Sequence, residues 1–522
     1  MNLMNQALDE TLKAVEKKEH VSSDLLESKI KVNESLGRAA FFYEKLRNAI
    51  DYQDEHLFLK NAIKRILKRR AYTGLEQSGG KLLHELVWAR YFRNDTLPTE
   101  YVKDIDKILD KYTELKSNIV SRNNHRFITN AILSFASYEI EQFLSPDKGE
   151  EKFSEFATDL ITKNIDVPAI EIEPAALRMQ ITIGVEKLLF KSDIDQIRFR
   201  LLRFFYPKWP NISKDEVLEF GRRFDEIMLS IDWQISQNRN SKIFKYVRRV
   251  VPPFVIIWEM IRNSPDEAKR AFSNKDLLRE KAQITIGRKN RGIYKRVLRA
   301  IFRGIIFILA TKVILAFVVE LPYEMAILGK VNYVALITNT SLPPILMLVA
   351  GLFISIPGRK NTQVLLKMIE KAVFEDELYA KHLETIRSVH ERSYLLFNLV
   401  YTTLSLAILS LVVWGLIALK FNVVSIILFF VFVSIVSFLT FRIRATAKEL
   451  EVKTGEDSMF SGIFNFLLLP FVIIGKFLSD KWSDYNFTLL FWDFIVEAPF
   501  KAIIGVFEAW IAFVREKRED FE

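Results

Sequence analysis

Across residues 1–295, apolar side chains recur every three or four positions between charged ones. Leu36, Ala40, Tyr43, Leu46 and Ile50 form one such series, and Ile63, Ile66 and Leu67 form another in a basic segment. Ile105, Ile108, Leu109 and Tyr112 repeat the pattern. That spacing lines one face of an α-helix, so the region is expected to be a set of amphipathic helices packed through those faces. Asp95-Thr96-Leu97-Pro98 interrupts the pattern, and Thr99 can cap the helix that follows. A helix over 127–144 is expected to stop at the turn-rich run Ser145-Pro146-Asp147-Lys148-Gly149, with a new pattern from Glu151. Residues 166–174 read as extended. Pro174 then opens a long helix expected to reach Tyr206, ahead of Pro207 and Pro210. Ser213 and Glu216 form a capping box for a helix carrying Val217, Phe220, Phe224, Ile227, Ile231 and Ile235. No long repeat is visible, which argues against a solenoid.

The pattern changes over 288–320, RKNRGIYKRVLRAIFRGIIFILATKVILAFVVE, where a basic run turns directly into an apolar helix. Spans are expected over 304–321, 333–356, 394–419 and 423–441. The last two are long and free of charge, the first contains Lys312, and the second is expected to bend or break at Pro343-Pro344. Residues 250–261 are apolar but too short to cross a bilayer, which takes about 20 residues. They read as a buried core helix or, given Lys242, Lys245, Arg248 and Arg249 before them, as an interfacial foot.

Charge decides the expected orientation. Arg288, Lys289, Arg291, Lys295, Arg296, Arg299 and Arg303 precede the first span. Arg359, Lys360, Lys367, Lys371, Lys381, Arg387 and Arg392 lie between the second and third, and Arg442, Arg444 and Lys448 follow the fourth. The other two links hold only Lys330 and Lys420. By the excess of basic residues on the inner side, the N-terminal region, the 357–393 link and the C-terminus are expected in the cytoplasm, beneath an inner (cell) membrane. No basic stretch followed by an apolar one opens the sequence, which fits that placement. Beyond the fourth span, 460–477 is apolar but holds Pro470 and Lys476. In 487–514, Asp493, Glu497, Lys501 and Glu508 fall within about 80° on a helical wheel. This pair of helices either lies on the inner leaflet, the reading favoured here, or adds two spans with a polar stripe.

The formal net charge of +10 could serve nucleic acid, anionic lipid or topology. The complete lack of cysteine excludes disulfides, thiolate metal sites and cysteine nucleophiles. Gly74 to Lys81, GLEQSGGK, superficially resembles a phosphate-binding loop. The lysine is one residue out of place, Leu82 stands where a hydroxyl should hold magnesium, and no strand precedes it. His84-Glu85 opens like a zinc-protease motif, but Trp88 replaces the second histidine. His382 and His390, with Glu384 and Glu391 nearby, are two helical turns apart, about 12 Å, too far to share an ion on one helix. Lys64, Arg65, Lys68, Arg69 and Arg70 read as a solvated face, since no nucleic-acid-binding module accompanies them.

Two candidate features remain. Lys312 lies within a span, where a charge costs about 2.5–3.5 kcal/mol. It is expected to snorkel, to pair with a stripe residue such as Asp493 or Glu497, or to line an ion path. The 288–303 collar adjoins the membrane entry, where each basic residue near anionic headgroups contributes about 1 kcal/mol.

The expected fold is all-α: a cytoplasmic helical domain (1–295), then a polytopic α-helical membrane domain. Helix pairs occupy 296–356 and 394–441, a cytoplasmic helical linker 357–393, and an amphipathic or embedded pair 442–522. The expected function is non-enzymatic, a cytoplasmic scaffold that recruits partners at the inner leaflet. The alternative is a channel or transporter whose polar path uses Lys312 and the Asp493, Glu497, Lys501, Glu508 stripe. Expected partners are anionic lipid headgroups through the collar, and a cytoplasmic protein or a second copy; nucleic acid and cofactors are not expected.

Overall fold

A computed structural model of the chain describes residues 6–19, 29–32, 57–72, 78–120, 125–146, 148–165, 173–238, 241–329, 331–378, 391–452 and 459–484. The expected helix through Leu36–Ile50 lies outside them. The described chain is all-α, and its only strand-like pairing is an isolated bridge between Lys29 and Pro98.

The N-terminal helices are α1 (Gln6–Glu19), α2 (Phe58–Tyr72), α3 (Gly79–Trp88), α4 (Tyr101–Asn118), α5 (His125–Leu144), α6 (Lys148–Asn164) and α7 (Pro174–Val185). They continue as α8 (Ile194–Phe205), α9 (Lys214–Arg222), α10 (Phe224–Asn238), α11 (Lys242–Val250), α12 (Pro252–Asn263) and α13 (Pro265–Ala271). The apolar faces read from the sequence point inward: Ile63, Ile66, Leu67, Ile105, Leu109, Tyr112, Val217, Phe220, Phe224, Ile227 and Ile231 are all buried.

Two expected helices divide. The one from Pro174 breaks at a π-helical turn, Glu186–Phe190, closed by Lys191 in the left-handed region at φ 58°. It restarts because Asp193 caps α8, accepting the Gln196 N–H at 2.9 Å, while the Gln196 side chain accepts the Asp193 N–H. The Ser213–Glu216 capping box forms as expected, but its helix ends at Arg222 and α10 begins at Phe224.

These helices make two cores. One surrounds Trp209 and unites α2 to α5 with α8, α9 and α10. The other joins α1, α6, α7, α11, α12 and α13, and continues into the apolar half of the molecule. Helix α12 is a core helix, with Phe254 to Ile257 buried, so the interfacial foot is overturned. Pro252 and Pro253 fit its first turn, where a missing N–H costs nothing.

Helix α14 (Lys275–Leu315) is 41 residues long, about 60 Å. Its first part packs on α12 and α13 and its last part belongs to the apolar bundle, so one helix is both core element and span. It runs on through a π turn (Ala316–Glu320), a single turn (Leu321–Tyr323) and a second π turn (Glu324–Leu328). Gly329, at φ 65°, ends it. Then follow α15 (Tyr333–Leu352), α16 (Arg359–Phe374), α17 (Glu391–Ala418), α18 (Val423–Ala447) and α19 (Met459–Asp484). Among the described residues, four helices are long and apolar enough to cross a membrane: the α14 continuation, α15, α17 and α18. Their outward side chains include Phe307, Phe317, Ile337, Leu399, Trp414 and Phe441, the apolar surface that hydrocarbon solvates. Helix α15 passes unbroken through Pro343 and Pro344, both buried, instead of stopping at them.

The connections sort to two ends. At one, α16 buries Leu365, Met368, Ile369 and Ala372 in the second core, packed on α12 and α14. Asn361 gives its Nδ2 proton to the Leu450 carbonyl (2.8 Å) and accepts the Val452 N–H (2.6 Å), which fixes the exit of α18 to α16. Glu449 bridges Lys191 (3.5 Å) and Arg296 (3.2 Å). At the other end, Asn332 donates to the Lys420 carbonyl at 3.2 Å, joining the two short links. Residues 359–374 and 449–452 thus lie together at one end of the bundle, and Asn332 and Lys420 at the other.

Helix α19 packs along the middle of α18: Phe471 stacks on Phe430, and Gly475 sits against the Ser434 carbonyl. Asp493, Glu497, Lys501 and Glu508 lie outside the described residues.

Candidate functional site: a buried polar network among the spans

Lys312 is fully buried, and its ammonium donates to Glu320 Oε1 at 2.6 Å. Glu320 is fully buried as well. Eight residues of regular α-helix would leave the two side chains about 80° out of phase. The π turn from Ala316 to Glu320 absorbs one residue, so Glu320 takes the phase of a seventh position, about 20° from Lys312. Side chains on a helix lean toward its N-terminus, which aims the carboxylate back at the ammonium. Lys312 Nζ also lies 5.0 Å from the centroid of the Phe432 ring, on the electron-rich face that attracts cations.

The second carboxylate oxygen of Glu320 reaches two further helices. It accepts from Asn339 Nδ2 of α15 (2.9 Å) and Ser425 Oγ of α18 (3.1 Å). Asn339 Nδ2 donates also to the Ser425 carbonyl at 3.2 Å. Its Oδ1 has no hydrogen-bond partner among the described residues, although the residue is fully buried.

One turn on, Glu324 is 2% exposed and repeats the arrangement. Its Oε2 accepts the Asn332 N–H at 2.9 Å and its Oε1 accepts Asn422 Nδ2 at 2.7 Å. Both asparagines are helix caps: Asn332 Oδ1 accepts the Ala335 N–H (3.2 Å) and Asn422 Oδ1 accepts the Ser425 N–H (2.8 Å). Glu324 therefore ties the first turns of α15 and α18 to the end of the α14 continuation.

Three spans meet in this network. Removing one partner of a buried ion pair typically costs about 3–5 kcal/mol, because the other charge is left in a medium that cannot solvate it. A lone buried lysine among apolar helices would be costly; here its pairing with Glu320 is also the contact that gathers α15 and α18.

The sequence marks Lys312 but not its partner. Glu320 stands at the tail of the first expected span, and the pairing depends on a π turn that has no simple sequence signature. Asn339 and Ser425 carry no charge and blend into apolar runs. The visible signal is a second acid, Glu324, four residues after the first.

The collar divides. Lys289 pairs with Glu259 at 2.9 Å and Arg296 with Glu449 at 3.2 Å, both within the helical body. Arg288, Arg291, Lys295, Arg299 and Arg303 are exposed, spaced so that they share one face of α14. The 64–70 cluster is not a free basic face: Lys64 pairs with Asp195, Arg69 with Glu85, and Arg70 is buried. Lys60, also fully buried, pairs with Asp193. In the loop that resembles a phosphate cradle, Ser78 precedes α3 and Gly79 donates to Asp106 Oδ1 at 2.6 Å. A Cβ at Gly79 would sit 2.8 Å from the Val102 carbonyl oxygen, so that glycine serves helix packing. His84 packs edge-on against Trp88. His382, Glu384 and His390 lie outside the described residues. A cleft of about 360 Å³ between α6, α7 and α8 is lined by Arg178, Arg200 and Arg203, each already beside an acid: Asp159, Glu186 and Glu151.

No protein-family model, curated protein or solved structure matches this chain. Its function is read from its own residues.

Proposed function

We propose that this membrane protein is a non-enzymatic scaffold: a multi-pass bundle that holds its helical body at the inner leaflet as a platform for a cytoplasmic partner. The observation that carries this reading is the shared construction of body and bundle. Helix α14 belongs to both, and α16, which connects two spans, and residues 448–452, which follow the last one, are core parts of the body. A body built this way has a fixed attitude to the bilayer rather than a tethered one. The excess of basic residues at this end supports placing it on the cytoplasmic side of the cell membrane. Arg291, Lys295, Arg299 and Arg303 on the exposed face of α14 then rest against anionic headgroups.

Affinity capture of the full-length protein from its native membranes, followed by cross-linking, tests the platform. A stoichiometric partner, or a second copy, cross-linked to the body supports it. An uncoupled body that takes up many orientations relative to the bundle, measured by distance probes in nanodiscs, would sink it.

A second reading, a channel or transporter, is favoured by one observation: the buried Lys312–Glu320–Asn339–Ser425 network among three spans. Its test is ion flux in proteoliposomes that disappears in Lys312→Leu.

A further inference from the structure

Helix α14 carries one continuous exposed face across the border between body and bundle. At about 100° per residue, Arg288, Gly292, Lys295, Arg299 and Arg303 fall within about 80° of one another. Ile306, Ala310 and Val313 continue the same arc into the apolar half, and every residue of the arc is exposed. The opposite side is buried through Ile293, Val297 and Ile301, so the core fixes which way the arc faces. No acidic residue lies between Glu280 and Glu320. Lys289 and Arg296, beside the arc, are paired with Glu259 and Glu449 of the body.

The basic part of the arc is longer than a headgroup layer is deep. Arg299 and Arg303 are one turn apart, about 6 Å along the axis, while Lys295 stands about 12 Å and Arg288 about 22 Å above Arg303. The headgroup layer of one leaflet is about 5–7 Å deep. Arg303 stands where the basic run gives way to the apolar one. With Arg303 at the hydrocarbon edge, the phosphate of an ordinary phospholipid lies level with Arg299 and Arg303, and Lys295 and Arg288 project beyond it. Gly292 lies between those two. A Cβ there would meet nothing within 4 Å, so packing does not require a glycine at this position. A glycine inside a helix weakens it, and here it leaves bare backbone between two cations, room for a bulky anion.

We propose that this arc binds a phospholipid whose headgroup carries a further phosphate beyond the one that joins it to the glycerol. Arg299 and Arg303 hold the joining phosphate, and Arg288 and Lys295 hold the outer one over Gly292. Ile306, Ala310 and Val313 lie along an acyl chain. The proposal deepens the headgroup contact of the platform reading and rests on α14 entering the bilayer at Arg303, whichever side the body occupies.

The test uses full-length protein in a neutral detergent, with bound lipid counted by native mass spectrometry. The probes are dioctanoyl phosphatidylinositol bisphosphate, dioctanoyl phosphatidylglycerol and free inositol trisphosphate. The bisphosphate lipid should bind tighter than phosphatidylglycerol by about tenfold or more, the effect of two further cations near phosphate. Arg288→Gln with Lys295→Gln should abolish that preference. Lys245→Gln with Arg248→Gln, the same charge removed from another exposed part of the body, should keep it. Gly292→Leu retains every charge and should lose the preference by covering the bare backbone. Equal affinity for the two lipids overturns the site, and so does a preference that survives in the Arg288 and Lys295 double variant. Inositol trisphosphate binding as tightly as the lipid also overturns it, in favour of a soluble phosphate. If Gly292→Leu does not fold, the two charge variants decide. A body that turns freely on the bundle would sink the platform reading and leave this preference intact.

Discussion

Lys312 and Glu320 sit eight residues apart on one continuous helix and meet at 2.6 Å, both completely shielded from solvent. The contact exists because a π turn between them removes one residue's worth of rotation. It makes a single helix present a neutral, hydrogen-bonding surface to two neighbours.

Breaking this pair one side at a time should be costly. Lys312→Met or Glu320→Gln alone is expected to destabilise the bundle by about 3–5 kcal/mol, since each leaves a polar group without its partner. The double substitution should cost clearly less than the sum. A double-mutant cycle on unfolding in bicelles checks this. Additive effects would mean that the two side chains act independently.

Much of this chain is legible from its sequence, and the gaps have physical causes. The three-to-four spacing that includes Ile105, Leu109 and Tyr112 finds the buried face of α4, because a two-faced helix has only one way to sit on a core. The Ser213–Glu216 box is local and forms as read. The four apolar spans are equally plain. Docking between distant segments is not legible: nothing in α16 announces that Leu365 and Met368 fit against α12 and α14. The Glu320 contact is hidden because its phase depends on the π turn. The break before Asp193 is hidden because apolar residues continue on both sides of it, and only the cap marks it.

Glycines in the bundle should differ sharply in tolerance. A Cβ on Gly475 would collide with the Ser434 carbonyl oxygen and lie 2.8 Å from Phe438 Cβ, so Gly475→Ala must push α19 off α18. Overpacking of this kind typically costs about 1–3 kcal/mol. Gly415 on α17 meets nothing within 4 Å, and Gly415→Ala should be neutral or slightly stabilising. Thermal denaturation of both variants in the same detergent decides. Equal tolerance would contradict the α18–α19 packing.

Glu141 in α5 should make the helical body pH-sensitive. Burial pushes its carboxyl up to about 8, against the opposing pull of nearby Lys60. The unfolded carboxyl titrates near 4.5. Between these values the folded state holds a proton that the unfolded state has lost, so stability falls as pH rises from about 4.5 to about 8, by up to about 1.4 kcal/mol per pH unit. Glu141→Gln should remove that slope, giving no gain near pH 5 and a growing gain toward pH 8. Fluorescence of Trp209, buried in the same core, reports the unfolding. A variant whose advantage is independent of pH would refute the assignment.

The natural chain lacks cysteine, so single introduced thiols report their own side of the membrane without background. The measurement that bears most directly on the platform is labelling of Lys420→Cys and Lys360→Cys in intact cells with a membrane-impermeant maleimide. Lys420→Cys should label from outside and Lys360→Cys only after the cells are opened. Labelling of Lys360→Cys in intact cells, with protection of Lys420→Cys, would place the body outside and contradict a cytoplasmic scaffold.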